Sequence, residues 1–507
     1  MPTRPAEDDL PGSAASPAVS LAGGPPVING SDLPAGGLVD HLVAVHTNAQ
    51  HRSMERHRLS LLHPVPLDLG DARLPRLILR TTLPSVVGLS MVGLHQVVNA
   101  LFVGGAGTAA VVAISMTFPV ALLTAALAEG VAIGAASRIS RMLGANRQHE
   151  ADQAAALALG YGLMLASAAT AGLVLGAEPI VAALGTPAVA AEETTLYLRL
   201  LALGYAPLML QIVCDFVAIA EGNARFSMLT LIGGFALNIL LDAVLILGAG
   251  LGVAGAAIAT ALSSLAAVGA YAWYFRRRIG RVRPRLGLLR PDWAALRDMA
   301  GIGVSAAGFS IFSALAFVLL YRAASGYGAA AVAGIGIAQR IYSGGMRPIA
   351  GFCMGVQPVL GFAWGAGDAR RVARTLCITI LVACGFALAY GAVMVLASGA
   401  IAAWFARDAD TLATARTATA VLHAPFVLLG LHLAVLTLLQ ATGRARLSLL
   451  LTLAPQGYFL IPAVVLLPRG WGLDGLVAAQ PVALVLSSLL AAGIGAWAIA
   501  RPGLRDA

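Results

Sequence analysis

Long apolar runs recur along the whole of this 507-residue chain. Each run has about 20 or more residues, which as an α-helix is enough to cross a hydrocarbon core of roughly 30 Å. Hydrophobic residues make up 59% of the sequence and charged residues only 11%, with a mean hydropathy of +0.83. Because a soluble domain carries about a quarter charged residues, this composition excludes a soluble globular fold. The sequence therefore predicts an all-α polytopic membrane protein.

About twelve membrane spans follow an N-terminal segment without apolar periodicity. That segment, residues 1–75, is rich in Pro, Gly, Ala, Ser and His, and we expect a disordered cytoplasmic tail. The predicted spans are 81–104, 109–137, 154–175, 195–219, 227–248, 252–275, 298–321, 328–362, 374–404, 413–440, 447–468 and 473–500. They form an N-terminal six-helix lobe over 76–275, a basic cytoplasmic linker over 276–297 and a C-terminal six-helix lobe over 298–507.

Arginine placement predicts how the chain is oriented. Alternate connections hold Arg138, Arg141, Arg147, Arg225, the linker cluster from Arg276 to Arg297, Arg370, Arg371, Arg374, Arg444 and Arg446. The connections on the other side hold only Arg322, Arg407, Arg416 and Arg469. Because cytoplasmic loops carry an excess of basic residues, we expect a cell-membrane protein with both termini in the cytoplasm. No basic patch is interleaved with aromatic residues, so nucleic acid is not an expected partner.

The two predicted lobes are copies of each other. A shift of 221 residues superposes Gly130 on Gly351, Gly134 on Gly355, and Gly222-x-Ala-Arg-x-Ser227 on Gly443-x-Ala-Arg-x-Ser448. Each copy has an even number of spans, so both enter the membrane from the same side as parallel repeats. Such repeats commonly enclose a central site that opens alternately to either side. The glycines spaced four apart in each copy predict close helix packing.

One apolar run carries a carboxylamide and a carboxylate one helical turn apart. Asn238 and Asp242 share a helix face because they are spaced i, i+4. An ionised Asp at the centre of a membrane helix costs roughly 2.5 to 3.5 kcal/mol, so it faces the protein interior or a wet cavity. We expect a functional carboxylate, and an Asp that only packs helices remains the alternative.

Several stretches together resemble the multidrug and toxic compound extrusion (MATE) family, from Pro84 to the C-terminal end. They are Gly130-Val-Ala-Ile-Gly134 with Leu143-Gly-Ala-Asn146, Gly328-Ala-Ala-Ala-Val-Ala-Gly-Ile-Gly-Ile-Ala338, Gly355-Val-Gln-Pro-Val-Leu-Gly361 with Gly365-Ala-Gly-Asp368, and Glu221-Gly-Asn-Ala224 leading to Asp242. The resemblance implies a V-shaped pair of six-helix lobes. It also implies an antiporter that exports cationic or amphipathic organic compounds in exchange for H+ or Na+.

The same resemblance implies an ion-coupling site in the N-terminal lobe. Asn238 and Asp242 match the family's pair in span five, and Thr260 matches its hydroxyl in span six. Asn99 stands where the family has Asp in span one; it could ligate Na+ through its carbonyl but cannot take up a proton. We therefore expect single-site coupling through Asp242, with Asn238 and Thr260 as further ligands if the ion is Na+. No other cofactor is expected, and the protein is expected to be a monomer.

Other polar residues inside the spans are candidates for the substrate cavity. They are Gln96, His95, Glu129, Asp215, Arg340 and Gln357. Hydrogen bonds between helices are the alternative for the neutral side chains. Ion pairs with a nearby arginine are the alternative for the two carboxylates, and His95 could also assist proton coupling.

Two other functions remain open from the sequence. A flippase of lipid-linked precursors is the first, although such proteins often add two spans and line their cavity with several cations, whereas this chain has mainly Arg340 and Arg347 in its spans. An intramembrane enzyme is the second, and it would need a paired-Asp, His-Glu-x-x-His or Ser/His constellation, none of which is found in the sequence. We therefore expect a transporter and not an enzyme.

Overall fold

The computed structural model describes residues 67–104, 108–184, 188–289, 291–405 and 408–500. Most of the predicted tail lies outside these ranges. The described residues form α-helices joined by short turns, and none of them belongs to a β-strand.

Seven α-helices lie in the described part of the first half. They are α1 (Leu74–Gly104), α2 (Thr108–Gly144), α3 (Gln148–Leu175), α4 (Ala177–Ala183), α5 (Ala188–Ala220), α6 (Ala224–Asp242) and α7 (Gly252–Arg276). The second half contains α8 (Trp293–Ser325), α9 (Ala329–Gly365), α10 (Ala369–Leu396), α11 (Ser398–Ala403), α12 (Ala409–His423), α13 (Val427–Ala441), α14 (Ala445–Leu453) and α15 (Leu460–Ala500). A π-helical turn follows α6 and another follows α14.

Eight helical segments of the described residues are long and apolar enough to cross a membrane, and α12 with α13, bent by 50°, makes a ninth. The longest segment, Ala445–Trp497, contains two predicted spans. They meet at Gly472, where the backbone leaves the helical region with φ 55° and ψ −134°. The remaining two predicted spans lie in α1 and α9, which have 31 and 37 residues. The prediction of a polytopic helical membrane protein is confirmed, with a helix at each predicted span.

The backbone repeats itself with the offset read from the sequence. Helices α2 and α9 each have 37 residues and α3 and α10 each have 28, and the bounds within each pair differ by 221 residues. Glycines with a positive φ also recur at corresponding places in the two halves. Gly222 follows α5 as Gly443 follows α13, and Gly252 and Gly472 lie at the start of the last span of their halves. Because glycine adopts a positive φ without steric penalty, the two copies turn at the same places. The predicted two-lobe repeat is confirmed.

The two halves pack against each other near one side of the molecule, which we call the arginine-rich face. This face consists of the helix ends and connections that carry Arg138, Arg141, Arg281, Arg371 and Arg444. Helix α2 packs along α8, and α9 packs along α1. A Cβ atom on Gly134 would collide with the carbonyl of Met299, and one on Gly355 would collide with the backbone of Thr81 and Thr82. The predicted close packing at these glycines is confirmed.

An ion-pair cluster joins the halves at the same face. The guanidinium groups of Arg138 and Arg141 in α2 lie 3.0 and 2.8 Å from Oδ2 of Asp298 in α8. All three side chains are largely buried, so solvent screens their attraction less than that of an exposed pair. The hydroxyl of Ser137 also donates to the carbonyl of Gln440. In this conformation the halves are therefore closed against each other at the arginine-rich face.

The last residues of the predicted tail, 67–71, form a strap across both halves. The amide of Leu67 donates to the carbonyl of Gly222 in the first half, 3.2 Å away. The guanidinium of Arg371 in the second half donates to the carbonyl oxygens of residues 69–71 at 2.8 to 3.2 Å. Leu69 is fully buried in an apolar cluster that α1 forms with helices of the second half. The predicted tail therefore extends too far, because Leu69 supplies an apolar anchor that composition did not single out.

The connection between the halves is shorter than predicted. The sequence predicted a linker over 276–297, whereas α7 includes Arg276 and α8 begins at Trp293. Asp292 caps α8, since its Oδ1 accepts from the amides of Ala294 and Ala295 at 3.0 and 3.1 Å. An Asp at this position satisfies amides that have no partner within the helix, so the helix starts several residues before the apolar run does.

Candidate ion-coupling site

Helix α6 presents the two polar residues that the sequence singled out. Asn223 caps its first turn, where the side-chain oxygen accepts from the amide of Phe226 at 3.2 Å. Its last helical residue is Asp242, and a π-helical turn over Ala243–Gly248 follows directly. Asn238 and Asp242 are 2% and 1% exposed. The site therefore lies inside the first half, where a widened turn begins, and such turns are frequent at functional sites.

The amide of Asn238 connects three helices. In one of its two orientations, the amide nitrogen faces the backbone N–H of Thr260, which is a donor in every protonation state, and its acceptor is the Ser263 hydroxyl at 3.5 Å. In the swapped orientation the nitrogen donates to Nε2 of His95 at 2.7 Å and to Oδ2 of Asp242 at 3.2 Å, while the oxygen accepts from Thr260 N–H at 3.1 Å. We assign the swapped orientation because it pairs each donor with an acceptor.

Asp242 has one oxygen without a partner. Its Oδ1 is buried and makes no hydrogen bond to any described residue. Ile246, Tyr197 and Ala256 form a buried apolar cluster at the adjoining ends of α5, α6 and α7. An ionised carboxylate with an unsatisfied oxygen is unfavourable in such surroundings. The Oδ1 atom is consequently the oxygen of this carboxylate that is open to a proton or a cation.

His95 brings a second titratable group from α1. Its ring stacks on Phe235 of α6, with centroids 4.4 Å apart and planes inclined by 13°. The stack fixes the imidazole so that Nε2 reaches Asn238. Sequence reasoning placed His95 in the substrate cavity, with proton coupling as a further possibility. The structure brings His95, Asn238 and Asp242 into one hydrogen-bonded chain.

Thr260 is near this chain, although its hydroxyl points elsewhere. The hydroxyl donates to the carbonyl of Ala256 at 3.0 Å, one turn earlier in α7, and the backbone N–H is the group that meets Asn238. Among the described residues, no cluster of three or more His, Cys, Asp or Glu side chains could hold a metal ion. The side chains of Asn99 and Gln96 lie outside the described part of the chain.

Glu129 lies where the two halves meet. Its Oε2 accepts a hydrogen bond from the hydroxyl of Ser310 in α8 at 3.3 Å. The alternative ion pair with Arg138 is not formed, because that arginine pairs with Asp298 and Glu150. The carboxylate is thus held between the halves, and its role in the substrate cavity stays a prediction.

Asp215 lies within the first half and does not line the space between the halves. It is 4% exposed and accepts hydrogen bonds from the hydroxyls of Tyr271 and of Ser227, the latter at 3.1 Å. The predicted cavity role is therefore replaced by a contact that joins α5 to α6 and α7. The alternative, an ion pair with an arginine, is also not found among the described residues. The hydroxyls of Tyr271 and Ser227 are the partners of the Asp215 carboxylate instead.

The two candidates in the second half differ in burial. Gln357 is 5% exposed, and its Nε2 has no partner among the described residues. It is packed inside the protein and does not face an open cavity. Arg340 is exposed on α9, and its role in the substrate cavity stays a prediction.

Sequence reasoning missed Glu221, which anchors the connection after α7. Its carboxylate is fully buried and accepts from the Tyr274 hydroxyl and from the amide of Val282, the latter at 2.7 Å. Burial raises the pKa of Glu221 to about 7, and the hydrogen bonds from Tyr274 and Val282 and the nearby Arg281 oppose that rise. The only sequence signal is a carboxylate directly after a long apolar helix, at the helix–loop junction.

The fold consists of two parallel helical repeats that are closed at one face. A buried chain of hydrogen-bonded polar side chains connects α1, α6 and α7. This architecture is typical of membrane transporters that work by alternating access. The family of the protein follows from comparison with known proteins. The sequence profile of the MatE family matches residues 84–244 and 305–464, and the chain belongs to that family. The resemblance to the multidrug and toxic compound extrusion family is confirmed, and with it the expectation that the protein is a transporter and not an enzyme.

Similar proteins cover most of the chain. The multidrug export protein MepA of Staphylococcus saprophyticus is 27% identical over 414 residues, 81% of this chain and 91% of the relative. MepA of Staphylococcus aureus strain MSSA476 is 26% identical over 411 residues, with the same shares covered.

Solved structures agree with the fold. A crystal structure of MATE in the straight conformation superposes with a TM-score of 0.80 at 25% identity, covering 85% of this chain and 97% of that one. A multidrug resistance MATE family transporter of the MOP superfamily, described as outward-facing, superposes with a TM-score of 0.77 at 25% identity, covering 84% and 96%.

Proposed function

We propose that this protein exports organic compounds, cationic or amphipathic in character, in exchange for H+ or Na+ bound at Asp242. The export function of the MepA relatives supports this proposal. The arginine-rich face is then cytoplasmic, because basic connections stay on that side of a cell membrane. The closed conformation described above is the one in which the substrate site opens away from the cytoplasm. The exchange needs no bound cofactor, and one chain is sufficient.

The observation that carries the proposal is the unpartnered Oδ1 of Asp242 at one end of a hydrogen-bonded chain. Asn238 links that carboxylate to the imidazole of His95, so two titratable groups share one neutral bridge. This arrangement favours H+ as the coupling ion. Na+ would instead need several oxygen ligands; Oδ1 of Asp242 and the Thr260 hydroxyl oxygen, whose lone pairs stay free while it donates to Ala256, are the candidates.

Coupling requires that the ion binds the two conformations with different affinity. Occupation of Asp242 by a proton removes the unfavourable buried charge and stabilises the packed arrangement of α1, α6 and α7. Release of the proton leaves a carboxylate that is better solvated when the helices separate. The ion and the substrate therefore bias the same rearrangement in opposite directions.

The test is export of a fluorescent organic cation from pump-deficient bacteria, comparing wild type with Asp242→Asn at equal membrane expression. Asn keeps the shape of the side chain but cannot take up a proton, so we expect export to be abolished. The control is Glu192→Gln, which removes an exposed carboxylate from α5 and should leave export unchanged. Full export by Asp242→Asn would refute coupling at this residue.

A flippase of lipid-linked precursors is the second candidate. The exposed Arg340 on α9 favours it, since a cation within a span can pair with the phosphate of such a substrate. In the same assay, wild type that fails to move any organic cation while Arg340→Gln impairs growth would favour the flippase. Export of the dye that is insensitive to Arg340→Gln would exclude it.

A further inference from the structure

A cavity of about 480 Å³ lies at the arginine-rich face, between the first turn of α3 and the connection that follows α7. Its polar lining consists of Gln148, His149, Asp152, Arg281, Arg283 and Arg285. A volume of this size is ordinary for a small-ligand site. The cavity lies at the opposite end of the first half from the apolar cluster next to Asp242, and the transport proposal does not use it.

The backbone around the cavity is held in place by hydrogen bonds that use no arginine side chain. Oδ1 of Asp152 accepts from the side-chain amide of Gln148 and from the backbone amide of Arg283, both at 2.8 Å. The Gln148 amide also donates to the carbonyl of Arg281 at 3.0 Å. The connection is therefore fixed to α3 without using the guanidinium groups of Arg283 and Arg285. The site is built before a ligand arrives.

The charge of the lining is strongly positive. Three arginines face one carboxylate, and that carboxylate already accepts two N–H groups. Arg283 and Arg285 are exposed, and Arg281 has Asp68 near it, at 3.6 Å. The N-terminus of α3 adds partial positive charge. Each guanidinium group can donate two parallel N–H hydrogen bonds to the oxygens of one phosphate group. Several arginines around one cavity therefore favour a phosphate ligand.

Apolar residues continue from the cavity along the side of α3. Leu288 lines the cavity, and the next residue, Leu289, fills the space that a side chain on Gly160 would occupy. Gly160 lies twelve residues into α3, about 18 Å from its first residue at the helical rise of 1.5 Å. Beyond it, Met164 is 62% exposed on the same helix. The connection thus dips from the polar cavity toward the lipid-facing surface of α3.

We propose that this cavity binds the phosphodiester headgroup of an anionic phospholipid, with Arg283 and Arg285 as its main ligands. The phosphate would lie among the arginines, and the acyl chains would lie along Leu289 and the exposed face of α3. A free phosphate has the same charge chemistry but lacks the apolar part. Because the cavity continues into an apolar surface, the lipid is the better match.

The experiment uses the full-length protein, purified in a neutral detergent. It is titrated with phosphatidylglycerol, with phosphatidylcholine, or with inorganic phosphate, and bound lipid is counted by native mass spectrometry while the midpoint of thermal unfolding is recorded. The test variant is Arg283→Gln with Arg285→Gln. The control variant is Arg370→Gln with Arg374→Gln, which removes two exposed arginines of the second half at the same face. Neither variant removes a side-chain hydrogen bond described for these residues.

We expect phosphatidylglycerol to bind wild type and the control variant alike, and to bind the test variant more weakly. Each basic residue near an anionic lipid surface is worth roughly a fivefold change in affinity, so the double variant should lose about 25-fold. Equal losses in the two variants would overturn the proposal, since they would indicate unspecific attraction to basic loops. Stabilisation by inorganic phosphate equal to that by the lipid would also overturn it, because the apolar part would then contribute nothing.

Discussion

The Nε2 atom of His95 and the side-chain amide of Asn238 lie 2.7 Å apart, although 143 residues separate them in the chain. The pair joins α1 to α6, which are the first and fifth membrane spans, and the same amide also donates to Asp242. In the proposed coupling, a change in the protonation of Asp242 would reach the imidazole on α1 through this one amide.

Replacing the bridging amide should uncouple the two ends of this chain. We expect Asn238→Leu to lower export at least tenfold, because a buried hydrogen bond to a charged group is worth about 1.5 to 3 kcal/mol. The measurement is dye efflux at matched expression. Leu240→Ala is the control, since Leu240 is 61% exposed on the same helix and should have little effect. Equal efflux in the Asn238→Leu variant and in wild type would contradict the bridging role.

Removing the imidazole should lower export although the aromatic stack is kept. His95→Phe retains a ring against Phe235 but deletes the nitrogen that accepts from Asn238. Because a buried N–H group left without an acceptor costs about 1 to 3 kcal/mol, we expect dye efflux at matched expression to fall about tenfold. Phe235→Leu, which loses the stack and keeps the nitrogen, should retain more export than His95→Phe. Efflux by His95→Phe equal to that of wild type would exclude His95 from coupling.

A methyl group at Gly134 should destabilise the packing of the two halves. A Cβ there would collide with the carbonyl of Met299, and overpacking typically costs about 1 to 3 kcal/mol. We expect Gly134→Ala to lower the midpoint of thermal unfolding in detergent. Gly172→Ala is the matched control in α3, where a Cβ would meet nothing within 4 Å. That control should be neutral or slightly stabilising, and a Gly134→Ala variant as stable as the control would contradict the predicted collision.

Glu221 should make stability depend on pH. Its pKa is raised from 4.5 to about 7 by burial, so the folded protein holds a proton that the unfolded chain releases above pH 4.5. Stability from this group is fully present below pH 4.5 and is lost as pH rises to about 7. The loss is on the order of 3 kcal/mol, at about 1.4 kcal/mol for each unit.

The measurement is thermal unfolding of purified protein between pH 4.5 and 8, in wild type and Glu221→Gln. The Gln variant cannot titrate at this position, and we expect it to show a smaller fall in unfolding temperature over this range. Glu192→Gln, which removes an exposed carboxylate, should behave as wild type does. Unfolding temperatures that fall equally with pH in wild type and Glu221→Gln would contradict the predicted contribution of Glu221 to the pH dependence of stability.

Features that depend on local spacing could be predicted from the sequence, and features that depend on distant partners could not. Apolar periodicity and the 221-residue repeat are local patterns, and they predicted the spans and the two halves. The pairing of Asn238 with Asp242 is also local, since the residues are one turn apart. Asp215 was misassigned because its partner Tyr271 comes from another helix, 56 residues later.

Boundaries were missed for the same reason. Asp292 caps α8 through two hydrogen bonds whose geometry is local, yet its effect is hidden by the arginines around it. The strap over residues 67–71 looks like part of a polar tail in the sequence, because its stabilising partner Arg371 lies 300 residues beyond Asp71. The role of Glu221 likewise requires knowledge of where Tyr274 and Val282 are placed.

The strap has a consequence for the order in which the chain is assembled during its synthesis. Residues 67–71 precede every membrane helix, yet Arg371, which donates to their carbonyl oxygens, is synthesised 300 residues after Asp71. During the insertion of most of the protein into the membrane, the strap therefore lacks its hydrogen bonds with Arg371. Its contact with Arg371 is therefore a late event of biogenesis, because the chain must be synthesised as far as α10 before that contact can form.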